Sequence, residues 1–342
     1  MTDTLSHIKA PIADEMAHFD AVFRESLSGN GGLLDTVLEY IMHRGGKRMR
    51  PMLTLLIAKA FSPVGAKGGC EGKGKGELCD GALRAIHAAC SLELLHTASL
   101  VHDDVVDESD RRRGQASVNA SFGNKMAVLV GDYILATSLR EIAMTGCAGM
   151  TDAVARLGQT LSAGEVKQIE NISSTDFSMD NYFDVIEKKT ASLFECCCRL
   201  GALSAGVGEE AMERVCEFGR NIGILFQIRD DILDYSDPEV TGKPAGNDLR
   251  EGKLTLPVLH VLASAPDEIA DLGRRVRSFD ITELDINCLV EYTESHGGIE
   301  YARSVIEEYY RKCMDYIDHN ISDSAIAESL RLYVGFAVGR ES

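Results

Sequence analysis

The sequence predicts an all-α protein, and two observations carry that prediction. The 342-residue chain has seven prolines, and none lies between Pro63 and Pro238, so a long central stretch lacks the residue that most often ends a helix. Apolar residues in that stretch recur at helical spacing, and alternating runs of β-branched residues are few. A chain that is 45% hydrophobic can bury a large core, and no internal boundary is visible, so we expect a single domain over residues 1–342.

Helical periodicity and turn signals divide the chain into segments. Helices are expected, in order, at 12–28 and 31–43, from the turn at 45–51 to about 61, and at 81–107, 124–145, 150–171, 180–205, 209–235 and 254–264. The tail from about residue 284 alternates helical patterns with short turns. The Gly- and Lys-rich stretch 62–80 is expected to be a mobile surface loop, and 236–252 a second loop.

Composition excludes several classes of function. The net charge of −18 argues against nucleic-acid binding, although a local basic cluster could still hold a small anion. No apolar run reaches the length of a membrane span, and the N-terminal residues lack the apolar stretch of a signal peptide, so we expect a soluble cytoplasmic protein. The ten cysteines lack metal-ligand spacing and are expected to be small, mostly buried hydrophobes in a reducing compartment.

Two aspartate clusters of the form Asp-Asp-x-x-Asp end two of the long predicted helices. The first cluster comprises Asp103, Asp104 and Asp107, and the second comprises Asp230, Asp231 and Asp234. The spacing places the first and last carboxylates of each cluster on one helical face, where like charges cost about 0.2–0.5 kcal/mol per pair. The same cost in two places suggests a compensating cation. Two such clusters facing each other would form an oxygen-rich site for a hard metal ion such as Mg²⁺.

Basic and polar residues accompany both clusters in the sequence. Three arginines at 111–113 follow the first cluster; they suit a diphosphate, although a charge run is usually a solvated turn. His96 and Ser99 share the helical stripe of the first cluster, and Gln227 shares that of the second. Lys189, within an apolar helical pattern, either extends to solvent or is held for an anion. These features together predict a site for phosphorylated, hydrophobic substrates beside an apolar interior that would protect a carbocation from water.

Seven motifs follow one another along the chain from about residue 30. They are Gly-Gly-Lys-Arg-Met-Arg-Pro at 45–51, Leu-Leu-His-Thr-Ala-Ser-Leu-Val-His-Asp-Asp at 94–104, Asp-Glu-Ser-Asp-Arg-Arg-Arg-Gly at 107–114, Gly-Glu at 164–165, Lys-Thr-Ala at 189–191, Phe-Gln-Ile-Arg-Asp-Asp at 226–231 and Glu-Gly-Lys-Leu-Thr-Leu-Pro at 251–257. This ordered set resembles the trans-isoprenyl diphosphate synthases, the polyprenyl synthetase family, and is most similar to its bacterial octaprenyl-type members, which make quinone side chains. A lone Asp-Asp-x-x-Asp motif would be weak, because terpene cyclases share it.

The resemblance implies a bundle of about ten or more helices around a central apolar cavity, as in isoprenoid synthases. It also implies a reaction. An allylic diphosphate ionises, the double bond of isopentenyl diphosphate attacks the cation, a proton is lost to the released diphosphate, and the chain grows by one isoprene unit. We therefore expect Mg²⁺ as cofactor, two diphosphate substrates and a homodimer, with a transient membrane contact when the product is released.

The resemblance also implies a role for each residue that matches a motif. Mg²⁺ would be held by Asp103, Asp107 and Asp230, with support from Asp104, Asp231 and Asp234. The allylic diphosphate would be contacted by Arg112, Lys189 and Lys243, with Lys253 as a further cation nearby. Isopentenyl diphosphate would be bound by Lys47, Arg50, His96 and Arg113, and the cation would be stabilised by the oxygen dipoles of Thr190 and Gln227.

Two positions depart from the family pattern. Gln168 stands where short-chain members often carry an acid beside the metal, which leaves a water-mediated contact there, and Arg229 is expected to face outward.

Other positions concern product length. Small side chains at Ala98 and Ser99, one helical turn before the first cluster, leave room for a growing chain and favour a long product. The end of the product tunnel is expected on the next helix, where the candidates, which are otherwise packing residues, are Tyr133, Leu135 and Leu139.

Three alternatives remain open from the sequence. The first is a synthase with a shorter product, geranylgeranyl or farnesyl diphosphate. The second is a class I terpene cyclase, which usually pairs its first acidic motif with a different second one. The third is a non-catalytic subunit of a heteromeric synthase, which typically loses motif residues, whereas both acidic motifs are complete here.

Overall fold

The chain is built almost entirely from α-helices, which confirms the predicted fold class. The computed structural model describes residues 2–29, 31–43, 46–62, 79–112, 114–172, 177–236 and 245–339. Two of the predicted substrate-binding residues, Arg113 and Lys243, and most of the predicted loop at 62–80 lie outside these ranges. Within them, no helix is both long enough and apolar enough to cross a membrane.

The N-terminal half of the chain contains a long antiparallel pair of helices and a small β-hairpin. Its elements are α1 (Thr2–Lys9), a 3₁₀ turn (Ala10–Ile12), α2 (Ala13–Ser26), α3 (Gly32–His43), α4 (Met49–Phe61), α5 (Asp80–Val106), β1 (Arg111–Arg112), β2 (Gln115–Ala116), α6 (Val118–Phe122), α7 (Asn124–Met144) and α8 (Ala148–Ile172). The hairpin was not predicted. It pairs Arg111 with Ala116 and Arg112 with Gln115, around Gly114 at a φ of +77°.

The C-terminal half is helical throughout its described residues. Its elements are α9 (Met179–Ile186), a π-helical segment (Glu187–Ala191), α10 (Ser192–Ser204), α11 (Glu209–Leu233), α12 (Asn247–Arg250), α13 (Leu256–Leu262), α14 (Asp267–Arg277), α15 (Glu283–Ser295), α16 (Gly298–Asn320) and α17 (Ser324–Ala337). The helix predicted at 180–205 is therefore interrupted by a π turn, and α12 lies in the segment predicted as a loop.

The chain divides into two units, each made of segments that are separate in sequence. The first unit comprises Met1–Gly158, Cys196–Cys216 and Asn320–Tyr333. The second comprises Gln159–Glu195, Glu217–His319 and Val334–Ser342. The single domain over 1–342 stays a prediction, and each unit is described separately below.

The core of the first unit is centred on α5, which packs against α2, α4 and α7. Polar contacts also join α5 to α7: Ser91 and Ser138 are buried and hydrogen-bonded, and His87 Nδ1 lies 2.8 Å from a carboxylate oxygen of Glu141. The helix α10 approaches α4 closely at Gly201, where a Cβ would lie 3.0 Å from the Cβ of Ile57. Long α5 therefore has fixed neighbours on several sides, which holds its C-terminal aspartates in place.

The cysteines mostly serve as core residues, as expected. All those in the described ranges are free thiols, and most are buried, including the run Cys196–Cys198. Burial raises the pKa of Cys197 to about 12, so its thiol stays neutral and packs as a small hydrophobe. Cys288 is the exception in being exposed.

The core of the second unit is built around α11 and α13. Tyr182 and Ile186 of α9 pack there with Ile224 and Ile228 of α11 and with Leu259 of α13. The helix α15 begins with a capping box in which the Thr282 hydroxyl and the Asp285 carboxylate satisfy each other's backbone N–H groups. Packing of Ile224 and Ile228 therefore holds the part of α11 that immediately precedes the second aspartate cluster.

Candidate active site

The first aspartate cluster ends α5, and its middle member is used inside the protein. Asp104 is 1% exposed, and its Oδ1 accepts a hydrogen bond from Nε of Arg112 at 2.6 Å. Asn119 donates to the backbone carbonyl of Asp104 at 3.1 Å. Asp103 is half-buried and Asp107 is exposed, so these two carboxylates share one helical face and reach solvent.

The β-hairpin after α5 holds Arg112 in place. The hydroxyl of Tyr40 on α3 donates to the carbonyl of Ala116 at 2.8 Å, and the N–H of Ser117 donates to the carbonyl of Asp110 at 2.8 Å. Because only Nε of Arg112 is used by Asp104, the terminal nitrogens of the guanidinium can point elsewhere. Of the three arginines in the charge run, Arg111 and Arg112 therefore belong to a hairpin that hydrogen bonds hold in place.

A cavity of about 70 Å³ in the first unit contains one of the predicted isopentenyl diphosphate ligands. His96 lines it together with Arg48, Glu93, Phe23 and Arg112. Lys47 is exposed and Arg50 is half-buried in the turn and first residues of α4. The predicted ligands that the structure describes therefore all belong to this unit, while Arg113 lies outside the described ranges.

The second cluster, at the end of α11, has the same division of roles. Asp231 is 3% exposed and accepts hydrogen bonds from the Tyr182 hydroxyl and from Nε2 of Gln227 at 2.9 Å. Burial outweighs these two hydrogen bonds and raises the pKa of Asp231 to about 7. Asp230 is exposed, with one oxygen 3.7 Å from the guanidinium of Arg229.

The last aspartate of the second cluster anchors the next segment of the chain. The two carboxylate oxygens of Asp234 accept hydrogen bonds from the backbone N–H groups of Asn247 at 3.1 Å and Asp248 at 3.0 Å. These N–H groups begin the short helix α12, where a carboxylate is favourable. Asp234 therefore helps to fix the positions of α12 and of Asp248, and its supporting role at a metal site stays a prediction.

Lys189 and Thr190 lie in the π-helical segment between α9 and α10. Two glycines allow neighbouring helices to approach this segment closely. A Cβ on Gly164 of α8 would lie 2.8 Å from Cγ of Lys189, and a Cβ on Gly223 of α11 would collide with the backbone of Ala191. Single π turns are frequent at functional sites because they redirect side chains within a helix. Close packing of α11 against the π segment therefore explains the glycine at position 223.

A hydrogen-bonded chain runs from the π segment to the second cluster. The Thr190 hydroxyl donates to Oε1 of Gln227 at 2.6 Å, and Gln227 in turn donates to Asp231. Lys189 Nζ lies 2.6 Å from Oε1 of Glu165 and donates to Oε1 of Gln168 at 2.9 Å. Gln168, the departure noted in the sequence, is thus a partner of Lys189.

These residues line a cavity of about 230 Å³ in the second unit. Five predicted site residues contribute to its wall: Lys189, Thr190, Gln227, Asp231 and Lys253. Arg277 adds a third cation, and Asp248 a second carboxyl group whose pKa is raised well above its usual range, first by burial and then by the neighbouring aspartates. Three cationic side chains facing carboxyl groups that hold protons easily make this cavity suited to an anion.

Among the residues that the structure describes, no three His, Cys, Asp or Glu side chains converge into a ready-made metal site. The carboxylates of half-buried Asp103 and of exposed Asp107 and Asp230 nevertheless fit a hard divalent ion. Such an ion takes oxygen ligands and usually keeps several waters or substrate oxygens in its shell. The donor chemistry of both clusters therefore fits a divalent metal ion that takes further ligands from water or a substrate.

The residues proposed to set product length have different surroundings. Ala98 is 1% exposed within the packed face of α5, and Ser99 is half-buried, with its hydroxyl donating to the carbonyl of His96. On α7, Tyr133 and Leu135 are half-buried, whereas Leu139 is 47% exposed. Ser99 is thus the more accessible of the two positions on α5.

Sequence reasoning assigned no role to Tyr182 or Glu165, and it misplaced Arg229. Tyr182 lies far from Asp231 in sequence, so no spacing could reveal their hydrogen bond, whereas Glu165 is part of the Gly-Glu motif and could have been examined as a partner for a cation. The prediction that Arg229 faces outward is wrong. It is 27% exposed because its guanidinium packs beside Gly339, which has a φ of +76° and no side chain to displace it.

Comparison with known proteins agrees with this geometry. The family model described as polyprenyl synthetase matches residues 32–289. The chain belongs to the polyprenyl synthetase family. It is 35% identical over 305 residues to octaprenyl diphosphate synthase of Escherichia coli (strain K12), covering 89% of each chain.

Solved structures of the polyprenyl synthetase family share the fold. Geranylgeranyl pyrophosphate synthase from Bacteroides thetaiotaomicron is 42% identical with a TM-score of 0.82, covering 99% of this chain and 100% of that one. Polyprenyl synthase from Caulobacter crescentus CB15, complexed with calcium and isoprenyl diphosphate, is 28% identical with a TM-score of 0.86, covering 99% and 98%. This member of the polyprenyl synthetase family is therefore an all-α prenyltransferase, which confirms the predicted family, fold and enzyme class.

Replacing Gly164 by alanine should impair this prenyltransferase without unfolding it. The added Cβ must push Lys189 and Lys188 away, because it would lie 2.8 Å and 3.0 Å from their side chains. Since small displacements of catalytic groups are costly, we expect kcat/KM for an allylic diphosphate to fall by about tenfold or more.

Gly158→Ala is the matched control on the same helix, because nothing lies within 4 Å of the Cβ that it adds. That variant should keep its kinetics and gain roughly 0.5–1 kcal/mol in stability from helix propensity. Steady-state kinetics and thermal midpoints check both outcomes, and equal kinetics in the two variants would contradict the role given to the π segment.

Proposed function

We propose that this protein is an all-trans long-chain polyprenyl diphosphate synthase. It would condense isopentenyl diphosphate head to tail with an allylic diphosphate in repeated, Mg²⁺-dependent steps, and the product would serve as a quinone side chain. The observation that carries this proposal is the cavity of the second unit, in which Lys189, Thr190 and Gln227 adjoin Asp231 of an Asp-Asp-x-x-Asp cluster. Complete Asp-Asp-x-x-Asp clusters on both α5 and α11 support a synthase over a terpene cyclase, which usually pairs its first acidic motif with a different second one.

The family resemblance implies which aspartates bind the metal, and the burial of the middle aspartate in each cluster supports that assignment. Asp103, Asp107 and Asp230 would hold Mg²⁺, which when bound neutralises the departing diphosphate and so favours ionisation of the allylic substrate. Asp104 and Asp231 are buried and hydrogen-bonded, so their role is to keep Arg112 and Gln227 oriented. Asp234 supports the site by holding α12.

Cations of the protein bind the diphosphate, and neutral oxygens face the carbocation. Lys189 and Lys253 line the cavity as ammonium groups that can attract a diphosphate. Thr190 donates its proton to Gln227, so the lone pairs of its hydroxyl oxygen remain to stabilise positive charge. The direction of this hydrogen bond is set at the other end, because Gln227 donates to Asp231.

The isopentenyl diphosphate site would lie in the first unit. Lys47, Arg50 and His96 supply cationic and polar groups there for the second diphosphate, as the family resemblance implies. The proton lost after attack would leave with the released diphosphate, so no protein base is needed. A long product is supported by small residues at Ala98 and Ser99 and by the octaprenyl and nonaprenyl diphosphate synthases among the relatives.

A shorter product is the second candidate, and a specific observation favours it. The solved structure from Bacteroides thetaiotaomicron, which is 42% identical, is named as a geranylgeranyl pyrophosphate synthase. We also propose a homodimer, as the resemblance implies. Its support is that α7 exposes several large apolar side chains to solvent: Val128, Leu129, Leu139 and Met144.

Incubation with labelled isopentenyl diphosphate, an allylic primer and Mg²⁺ tests the proposed function directly. We expect a ladder of prenyl diphosphates that ends at a long product, sized by chromatography after removal of phosphate, and no product after chelation of the metal. A hydrocarbon or alcohol product from the primer alone would instead show a cyclase. Absence of any condensation by the purified chain would support the non-catalytic subunit.

Asparagine substitutions should separate the metal ligands from the supporting aspartates. Asp230→Asn removes an exposed carboxylate, so it should lower kcat by about 100-fold or more and leave the thermal midpoint unchanged. Asp234→Asn weakens two hydrogen bonds to α12, so it should lower the free energy of unfolding by about 1–3 kcal/mol. Kinetics at several Mg²⁺ concentrations and thermal unfolding measure the two effects, and a reversed pattern would show that the roles are assigned the wrong way round.

A bulky residue one turn before the first cluster should shorten the product. Ala98→Tyr should shift the product ladder to fewer isoprene units, because an aromatic ring would block the chain early. Since Ala98 is buried, that variant could fail to fold, and Ser99→Tyr at the half-buried neighbour provides a second test. Chromatography measures the product length of both variants. If both variants fold and neither shortens the product, the tunnel proposal is refuted.

A further inference from the structure

Arg48 has a backbone conformation that calls for an explanation. It lies between Lys47 and Arg50, two predicted ligands of isopentenyl diphosphate, and it immediately precedes α4. Its φ of 55° and ψ of 37° are left-handed, a region that residues other than glycine, asparagine and aspartate rarely adopt. Non-glycine residues persist in this region when surrounding contacts hold them, and such positions cluster at functional sites.

The side chain of Arg48 makes contacts that can hold the turn. Its Nη1 donates to Oε1 of Glu93 at 2.8 Å, and both side chains are largely buried, at 21% and 10% exposed. The guanidinium carbon also lies 4.2 Å from the ring centroid of Phe23 and 5.9 Å from that of Phe19. A planar guanidinium can stack on an aromatic ring and bind a carboxylate edge-on at the same time, which a lysine cannot do.

These contacts connect the turn to the helix that carries His96. Glu93 and His96 are three residues apart on α5, so they are neighbours on the helix surface. Arg48, Glu93 and His96 all line the cavity of about 70 Å³ in the first unit. At the next residue, the first of α4, the carbonyl of Met49 accepts a hydrogen bond from the buried Tyr333 at 3.1 Å. Contacts therefore hold the chain at two successive residues, Arg48 and Met49.

We propose that Arg48 is a positioning residue for isopentenyl diphosphate. Stacked on Phe23 and paired with Glu93, it fixes the left-handed turn, and the turn sets the directions of Lys47 and Arg50 relative to His96. Its own guanidinium stays with Glu93, because moving it to a substrate would leave a buried carboxylate uncompensated. The inference rests on the proposed function, since it assumes that Lys47, Arg50 and His96 bind isopentenyl diphosphate.

Two variants weaken the contact between Arg48 and Glu93, one by changing each partner. Arg48→Lys keeps a cation opposite Glu93 but loses the stacked planar group, and Glu93→Gln keeps the shape of the acceptor but loses its charge. Each should raise KM for isopentenyl diphosphate by about tenfold or more, since the ligands of that substrate are displaced. KM for the allylic primer should change by less than about twofold, because Asp104 holds Arg112 independently of the turn and Lys189 and Lys253 line the other cavity. The double variant should be little worse than either single one, since both remove the same contact.

Glu15→Gln is the matched control. It breaks the ion pair between Lys59 and Glu15, at 2.7 Å, which joins α4 to α2 away from the turn. Both KM values should then stay at the wild-type level. Thermal midpoints and circular dichroism verify that each variant is folded, and Arg48→Lys carries the test if Glu93→Gln does not fold, because it leaves the buried carboxylate paired.

The outcomes separate the inference from the proposed function. If the wild-type chain does not condense isopentenyl diphosphate, the proposed function fails and these variants are not needed to show it. If wild type is active and the KM for isopentenyl diphosphate rises alone, Arg48 positions that site. An equal rise in both KM values, or the same rise in Glu15→Gln, would overturn the inference and leave Arg48 a general packing residue.

Discussion

The constraint on which the site depends is the concentration of carboxylates in two short helical segments. Three aspartates within five residues repel one another, and the protein relieves this repulsion in the same way in both clusters. The middle aspartate is buried and hydrogen-bonded, by Arg112 in the first cluster and by Tyr182 and Gln227 in the second. The first aspartate of each cluster is left at the surface, where its charge is available for a metal ion and is screened until one binds.

The buried aspartates also orient residues elsewhere in their own unit. Asp231 orients Gln227, which orients Thr190, and the π segment that carries Thr190 fits only because Gly164 and Gly223 have no side chains. The position of the Thr190 oxygen, which we propose stabilises the cation, is therefore determined by a carboxylate, an amide and two glycines. Such over-determined positions are what preorganised sites require, since each group must be in place before charge develops.

The sequence was sufficient for the fold class, the family and the motifs that carry the resemblance. It was insufficient where the deciding contact is between residues distant in sequence. The segment 180–205 has unbroken helical periodicity, so nothing local shows the π turn at 187–191, which depends on glycines of two other helices. Arg229 was expected to face outward because its helical stripe differs from that of Asp230, but Gly339 offers it a place to pack. Helix positions follow from periodicity, whereas these exceptions follow from tertiary packing.

Four cations near the two cavities are paired with acids, and the exposure of each acid bears on which cation is able to leave it for a substrate. Glu165 and Glu251 are 28% and 43% exposed, so water can solvate them if Lys189 and Lys253 bind a diphosphate as proposed. Glu93 and Asp104 are 10% and 1% exposed, and removing their partners would leave buried charges uncompensated. Arg48 must therefore remain where it is. Arg112 can still act on a substrate, because Asp104 uses only Nε and the two terminal nitrogens keep their donors.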